Sequence, residues 1–377
     1  MQQLGFNSDI QVGGHRFHVQ TAFSANNEKI ISHIFDQGRV IDQREVPFQG
    51  QANNQALPKR IRAVHQDMIS EMELLYYISE KVRQIKHPLS CMRLGLVFLD
   101  KNLLDDAIVL LQTAIELDPS SPDAYNYLGG ACIRKRDFAK AEEVLRRGLQ
   151  LAPQYADLHY YLGVASLEQG RLPEAIQSLE VALNINPKFF QASLHVALAF
   201  LLTLTASVPP EAHLPPTSVR IKRAQDQLAT VLEAFPIFKE SSRMKATLEK
   251  LKLAEYGAAV DELQGLRREI QTEFALGFEN EFYLKFLYGG KGRDDEFVRR
   301  YTDRLLGAVR DYPQYADLHN SLGVAYLIQC RNLFLRALEE FRVALRINPN
   351  FKRAERNLKL SENDGKGFLI LLRAILK

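Results

Sequence analysis

The sequence of 377 residues lacks tryptophan, has only three cysteines and carries little excess charge. Its 48 basic and 45 acidic residues leave a formal net charge of +3, and no basic run is interleaved with aromatic residues. Charge therefore does not indicate nucleic-acid binding. Because Cys91, Cys132 and Cys330 are odd in number, we expect reduced, partly buried thiols.

Targeting and catalytic motifs are also scarce. The N-terminus has no positive region followed by an apolar stretch, so we expect no secretory signal and, by default, a cytoplasmic location. The apolar run 194–208 is too short to cross a bilayer. Neither a Ser-His-Asp arrangement nor a cysteine pair or carboxylate cluster forms a local motif. We therefore predict a protein that is not an enzyme and needs neither metal nor cofactor.

A small-residue signature returns three times at a spacing of 34 residues. A fixed period of this length predicts one copied unit that buries its apolar face only against its neighbours. Apolar residues at helical spacing within each unit predict two antiparallel helices, and the proline ends the second one. The recurring residues are Gly95, Gly129 and Gly163; Ala107, Ala141 and Ala175; and Pro119, Pro153 and Pro187.

This register resembles the tetratricopeptide repeat family. We assign regular repeats to residues 88–121, 122–155 and 156–189, and a later copy to 316–351 with two extra residues between its helices. Residues 154–159 and 314–319 are identical, which points to duplication. In the second repeat, the matching residues are Tyr125, Leu128, Gly129, Ala141, Leu145 and Pro153.

Between these copies, residues 190–315 form a degenerate part of the array. After a helix at 190–206, a proline-rich insert at 207–220 reads either as a loop over the solenoid edge or as a ligand for another domain. Two more helix pairs are expected from 239 to 315. The resemblance then implies a mainly α fold, a right-handed superhelix of about seven helix pairs over residues 88–361.

The two ends of the chain follow other patterns. Residues 1–52 alternate polar and apolar positions around Gly13-Gly14 and predict a small antiparallel β-meander, packed on a connecting helix within 53–87. Residues 362–377 predict an apolar C-terminal helix. It docks on the solenoid, enters a partner or a dimer mate, or attaches to a membrane surface.

The resemblance implies that the first helices line a concave groove that binds partner proteins. Arg134 is the only cation at its groove positions, which favours an apolar peptide or amphipathic helix as ligand. For the valines and leucines, packing on a neighbouring helix is an equal alternative. The groove residues are Met92, Leu96, Leu99, Asn126, Gly130, Ile133, Arg134, Tyr160, Val164, Leu167, Asn320, Val324 and Leu327.

Two functions from different classes follow. The first is a non-catalytic adaptor or scaffold that holds one protein in the groove and another on the N-terminal sheet, whose edge strands are open to pairing. The second is a substrate-docking or regulatory subunit of an enzyme complex, or a peripheral membrane assembly factor that uses the C-terminal helix. Neither the partner nor the oligomeric state follows from the residues.

Overall fold

The computed structural model describes residues 5–48, 56–205, 214–273, 277–291, 294–311, 316–347, 349–350 and 352–376. The chain forms two compact units, residues 1–281 and residues 282–377. The first unit holds the N-terminal sheet and the regular repeats. The second holds the end of the array, and each unit is described by itself.

The N-terminal sheet is an antiparallel meander in the order β1-β2-β3-β4, which confirms the predicted fold of this segment. The glycine pair forms the first hairpin turn, with φ of 58° at Gly13 and 83° at Gly14, a conformation that glycine adopts at low cost. The strands are β1 Gly5–Val12, β2 His15–Ser24, β3 Lys29–Asp36 and β4 Arg39–Pro47.

One face of the sheet packs on α1, Ala56–Ile85. Ile30 is fully buried with Leu57 and Ile61 of that helix. His65 lies in this interface, where its Nδ1 is 2.9 Å from Thr21 Oγ1 and its Nε2 is 2.9 Å from Ser8 Oγ. These hydrogen bonds satisfy a buried imidazole and align the helix with two neighbouring strands.

Polar and aromatic contacts join this sheet and helix to the first repeat. Lys101 Nζ donates to Asp42 Oδ2 at 2.5 Å, and the rings of Tyr76 and Phe98 lie 5.4 Å apart. Gly13 lies so close to Tyr76 that a methyl group on it would be 2.0 Å from the ring. The sheet therefore covers the end of the repeat array, as terminal elements of solenoids commonly do.

Three helix pairs form the regular repeats. Their turns use residues in the left-handed region, with φ of 57° at Asn102, 64° at Arg136 and 74° at Gly170. The pairs are α2 Pro88–Asp100 with α3 Leu104–Leu117, α4 Pro122–Arg134 with α5 Phe138–Leu151, and α6 Ala156–Glu168 with α7 Leu172–Ile185.

Each pair is held by a glycine that contacts a leucine sixteen residues later. A Cβ atom on Gly129 would lie 2.4 Å from Leu145 Cδ2, a distance that real side chains do not adopt. The equivalent Cβ distances are 2.8 Å from Gly95 to Leu111 and 2.6 Å from Gly163 to Leu179. The leucines are fully buried. The small residues of the sequence register thus lie where two helices approach most closely.

Beyond the regular repeats, α8 Phe190–Thr205 pairs with α9 Thr217–Ala234, and α10 Ser242–Lys252 pairs with α11 Tyr256–Glu273. A short 3-10 helix, Pro236–Lys239, links the two pairs. The helix α9 begins inside the segment that we assigned to the proline-rich insert, because proline is tolerated immediately before and within a first helical turn. Residues 207–213 of that insert lie outside the described residues.

The remaining helices are α12 Gly277–Tyr288, α13 Asp295–Asp311, α14 Ala316–Ile347 and α15 Lys352–Leu376. In the second unit, the ring of Phe282 stacks on Tyr301 at 3.6 Å, and α13 packs along α14. The sequence predicts an array that ends at 361 and a separate apolar helix at 362–377. One helix, α15, crosses this boundary, because no proline interrupts the segment and single glycines cost a helix only about 1 kcal/mol each.

The later repeat copy at 316–351 differs more strongly from its prediction. We expected a helix pair, and the structure has one continuous helix, α14. The position that corresponds to Gly170 of the third repeat is Cys330, but Arg136 adopts the left-handed turn at the same position of the second repeat, so the loss of glycine alone does not remove the turn. The segment that follows, Leu333 to Leu335, favours continued helix.

The glycine-leucine contact predicts a specific stability effect. Gly129→Ala must displace the buried Leu145 side chain, so we expect the free energy of unfolding to fall by about 1–3 kcal/mol. Urea denaturation followed by circular dichroism measures it. Gly257→Ala is the control, because no atom lies within 4 Å of its Cβ position. An unchanged midpoint for Gly129→Ala would contradict the packing role.

Candidate functional site

The first helices of the regular repeats present matching positions at spacings of four and three residues, which places them on one face of each helix. We call this surface of α2 and α4 the first-helix face. It comprises Met92, Leu96 and Leu99 of α2, and Asn126, Gly130, Ile133 and Arg134 of α4.

The apolar side chains of this face are only half-buried. Met92, Leu96 and Leu99 retain exposed surface, as does Ile133 on the next helix. Arg134 is exposed at the end of α4 and donates from Nη2 to Asn102 Oδ1 at 3.2 Å. The face is therefore apolar along its length and ends at Arg134, whose positive charge interacts with the Asp100 carboxylate at the end of α2.

The polar group at the centre of the face is unusual. Asn126 is only 5% exposed, and its Oδ1 atom is buried without a hydrogen-bond partner among the described residues. A buried acceptor without a donor costs about 1–3 kcal/mol. Gly130, one turn later, leaves room for the ring of Tyr161, which would lie 3.2 Å from a Cβ atom there.

On α6, the expected groove positions are buried within the chain. Tyr160, Val164 and Leu167 are at most 9% exposed and belong to one buried cluster with residues of α7, α8 and α11. For Val164 and Leu167, the alternative of packing on a neighbouring helix therefore holds. Tyr160 was expected to offer an open contact surface, and that expectation is wrong because the ring is buried.

A salt bridge fixes α11 in this position. Arg267 Nη2 lies 2.9 Å from Glu168 Oε1 at the end of α6. Both side chains are about three-quarters buried, so solvent screens this pair less than an exposed one. The first-helix face is consequently bounded on the α6 side by α11.

A buried histidine lies beside this contact. His195 of α8 is 3% exposed, its Nδ1 lies 2.7 Å from the Gln191 carbonyl oxygen, and its ring meets Tyr160 edge-on at 5.2 Å. Burial and, to a smaller extent, the nearby positive charge of Arg267 lower the pKa of His195 to about 4, while the hydrogen bond to the Gln191 carbonyl opposes the shift. The imidazole is therefore neutral at physiological pH.

The remaining sequence-predicted groove residues lie in the second unit. Asn320, Val324 and Leu327 belong to α14, where Asn320 is exposed, Leu327 is half-buried and Val324 is 7% exposed. They are not part of the first-helix face, which belongs to α2 and α4.

Among the residues that the structure describes, no group of three or more His, Cys, Asp or Glu side chains is placed to hold a metal ion. None of the described helices combines the length and hydropathy needed to cross a membrane. Of the cysteines, Cys91 and Cys132 are buried and Cys330 is exposed, and all three are free thiols.

Comparison with known proteins supports the repeat register. The tetratricopeptide repeat family model matches residues 92–156 and 133–188, which span most of the three regular repeats. This segment, about a quarter of the chain, is therefore similar to tetratricopeptide repeats, as its sequence register predicted. Repeats of this family serve protein–protein interaction, and no curated protein matches the chain.

Several solved structures match part of the chain. The crystal structure of MamA is 24% identical, with 43% of this chain and 88% of MamA covered and a TM-score of 0.36. YrrB, described as a TPR protein with an unusual peptide-binding site, is 18% identical over 54% of this chain and 97% of its own, at a TM-score of 0.34. The first TPR domain of Spaghetti (RPAP3), bound to an HSP90 peptide, is 23% identical over 32% and 94%, at 0.30.

The buried histidine predicts a pH dependence. Between pH 6.5 and 4, the unfolded chain takes up a proton at His195 and the folded chain does not. The free energy of unfolding therefore falls as pH decreases through this window, by up to about 3 kcal/mol. Urea titrations at several pH values measure this slope.

His195→Phe keeps a ring against Tyr160 but cannot be protonated, so its unfolding free energy depends less on pH over the same window. Gln177→Ala, on the exposed side of α7, is the control; it changes no titratable group and retains the wild-type slope. If the unfolding free energies of His195→Phe and wild type change with pH in parallel, the pH dependence comes from another group.

Proposed function

We propose that this protein is a non-catalytic adaptor that binds a short apolar segment of a partner protein on the first-helix face. The observation that carries the proposal is the unpaired Oδ1 atom of Asn126 in the middle of half-exposed apolar side chains. A ligand that donates a backbone N–H to this oxygen removes the cost of the unsatisfied acceptor. That gain favours a peptide over a purely apolar molecule.

Binding at this position combines two contributions. Met92, Leu96 and Leu99 supply apolar surface, and the unbranched side chain of Met92 adapts to different ligand shapes. Because the Asn126 oxygen lies just beneath the surface, a neighbouring side chain must change rotamer to admit the ligand, as is common at interfaces. The Arg134 guanidinium at the end of the face favours an acidic residue or carboxylate at one end of the peptide.

The burial of the α6 positions sets the length of the ligand. Since Tyr160, Val164 and Leu167 are buried in a cluster that includes residues of α8 and α11, the available surface spans α2, α4 and the near edge of α6. Neighbouring helix axes lie about 8–10 Å apart, so the surface is about 20 Å wide. An extended chain covers this distance with about six residues.

The role of Asn126 is testable with peptides selected on the full-length protein. We expect Asn126→Ala to weaken a selected peptide about 5- to 100-fold, which corresponds to the loss of one buried hydrogen bond. Fluorescence anisotropy gives the dissociation constant, and circular dichroism verifies that the variant folds. Gln177→Ala, on the exposed side of α7, is the matched control and leaves affinity unchanged.

Selected peptides that bind wild type and Asn126→Ala equally well would exclude the first-helix face as their site. Competition between peptides then shows whether they share any other site. Loss of binding in Gln177→Ala as well would point to a global effect of substitution.

The boundary at α11 predicts a limit on ligand length. Affinity of a selected peptide rises with each added residue up to about six and then stays constant, because further residues meet no free first-helix surface. A truncation series measured by anisotropy tests it. A continued gain in affinity beyond about eight residues would show that α11 leaves the face of α6 on binding.

A further inference from the structure

The long helix α14 carries the sequence of a complete helix pair. Residues 316–329 correspond to 156–169 of the third repeat, and residues 334–347 correspond to its second helix, 172–185. The correspondence keeps the packing residues. Gly323 matches Gly163, Ala337 matches Ala175, and Phe341 takes the place of Leu179.

In the third repeat these positions are in contact. Ala175 and Leu179 are fully buried, and a Cβ atom on Gly163 would lie 2.6 Å from Leu179 Cγ and 3.2 Å from the Ala175 carbonyl oxygen. Within one straight helix the equivalent contact is impossible. Gly323 and Phe341 are 18 residues apart, which is about 27 Å along the axis.

Part of the surface that would form this contact is open on α14, whereas Phe341 is only partly exposed and α15 packs on the same helix through the Arg342–Glu362 salt bridge. Among the described residues, no atom lies within 4 Å of the Cβ position of Gly323, and Ala337 is exposed. Tyr326, Leu333 and Ile347 are 48%, 64% and 81% exposed. We call one row of residues along the helix the α14 stripe: Gly323, Tyr326, Cys330, Leu333 and Ala337. They recur at alternating spacings of three and four residues, which is the spacing of a helix that packs along another helix.

The chain does not bury this stripe by folding α14 back on itself. Gln329 Nε2 donates to Thr302 Oγ1 at 2.9 Å, and Asn332 Nδ2 donates to Asp295 Oδ1 at 2.9 Å. Asn332 is 6% exposed. These contacts with α13 hold the segment between the two halves as helix, so a turn at this point would break them.

We propose that α14 packs against α14 of a second copy of the chain by exchange of repeat halves. Residues 334–347 of each copy lie antiparallel on residues 316–329 of the other, and Gly323 of one copy meets Phe341 of its mate. A two-fold axis near Asn332 relates the two copies, so both halves of each α14 are paired and the dimer is closed. The two halves are complementary because they correspond to the two packed helices of one repeat.

A disulfide design tests the exchange in the full-length chain. In a Cys330→Ser background, Gly323→Cys and Ala337→Cys are combined, at positions that match the close pair Gly163 and Ala175. Within one helix these sites are about 21 Å apart, too far for a disulfide. We expect mild oxidation to yield mainly covalent dimers on a non-reducing gel.

The single variant Gly323→Cys in the same background is the matched control and gives far less dimer. A disulfide within one chain, seen as a monomer that has lost two hydrogens in its mass, would overturn the proposal in favour of a folded-back pair. Absence of either disulfide would overturn it as well. Such a result leaves the stripe to a different partner.

Light scattering of the protein without cysteine substitutions gives an independent readout. We expect a dimer that dissociates on dilution. Gly323→Leu raises the dissociation constant of the dimer at least tenfold, because the larger side chain blocks the approach of Phe341. The space around Gly323 in the single helix accepts the leucine, so the variant keeps its helical circular dichroism. Gly307→Leu, also at an open Cβ position, leaves the dimer intact. A wild-type chain that is monomeric at every concentration contradicts the exchange.

Discussion

The close approach of a glycine to a leucine sixteen residues later determines how the helices of each regular pair are spaced. Gly95, Gly129 and Gly163 admit leucine side chains to positions that any Cβ atom would occupy. This spacing sets the first helices beside one another and so creates the first-helix face between α2 and α4. Where the contact is missing, at Gly323, the pair does not form. The repeat register is therefore a packing requirement that extends through the first three pairs.

Elements outside the register decide how much of the repeat surface is available. At one end, α1 and the sheet cover the first repeat through Tyr76 and the Lys101–Asp42 salt bridge. On the other side, the groove positions of α6 are buried with residues of α8 and α11, and α11 is fixed by the Arg267–Glu168 salt bridge. Only the face of α2 and α4 keeps half-exposed apolar side chains together with an unpaired acceptor at Asn126. The degenerate part of the array thus limits a general peptide surface to a short one.

Much of this architecture could be predicted from local patterns. The period of 34 residues located the regular pairs, and the glycine pair at 13 and 14 located the first hairpin, because each signal acts through nearby residues. The burial of the α6 positions could not be predicted, since Leu263 and Leu266 form an ordinary apolar stripe that does not say which helix it meets. The buried state of Asn126 also depends on the assembled repeats.

The segment 316–347 shows how the same packing residues yield two outcomes. Its first half resembles the third repeat closely enough to predict a helix pair, and its second half keeps the matching alanine and a bulky apolar residue. What differs is the short region between them, where Gly170 of the third repeat adopts a φ of 74° and Cys330 remains helical. A few residues at a turn therefore decide whether the halves meet within one chain. If they meet between two chains, one particle carries two first-helix faces, and a partner with two copies of the recognised segment gains affinity from their linkage.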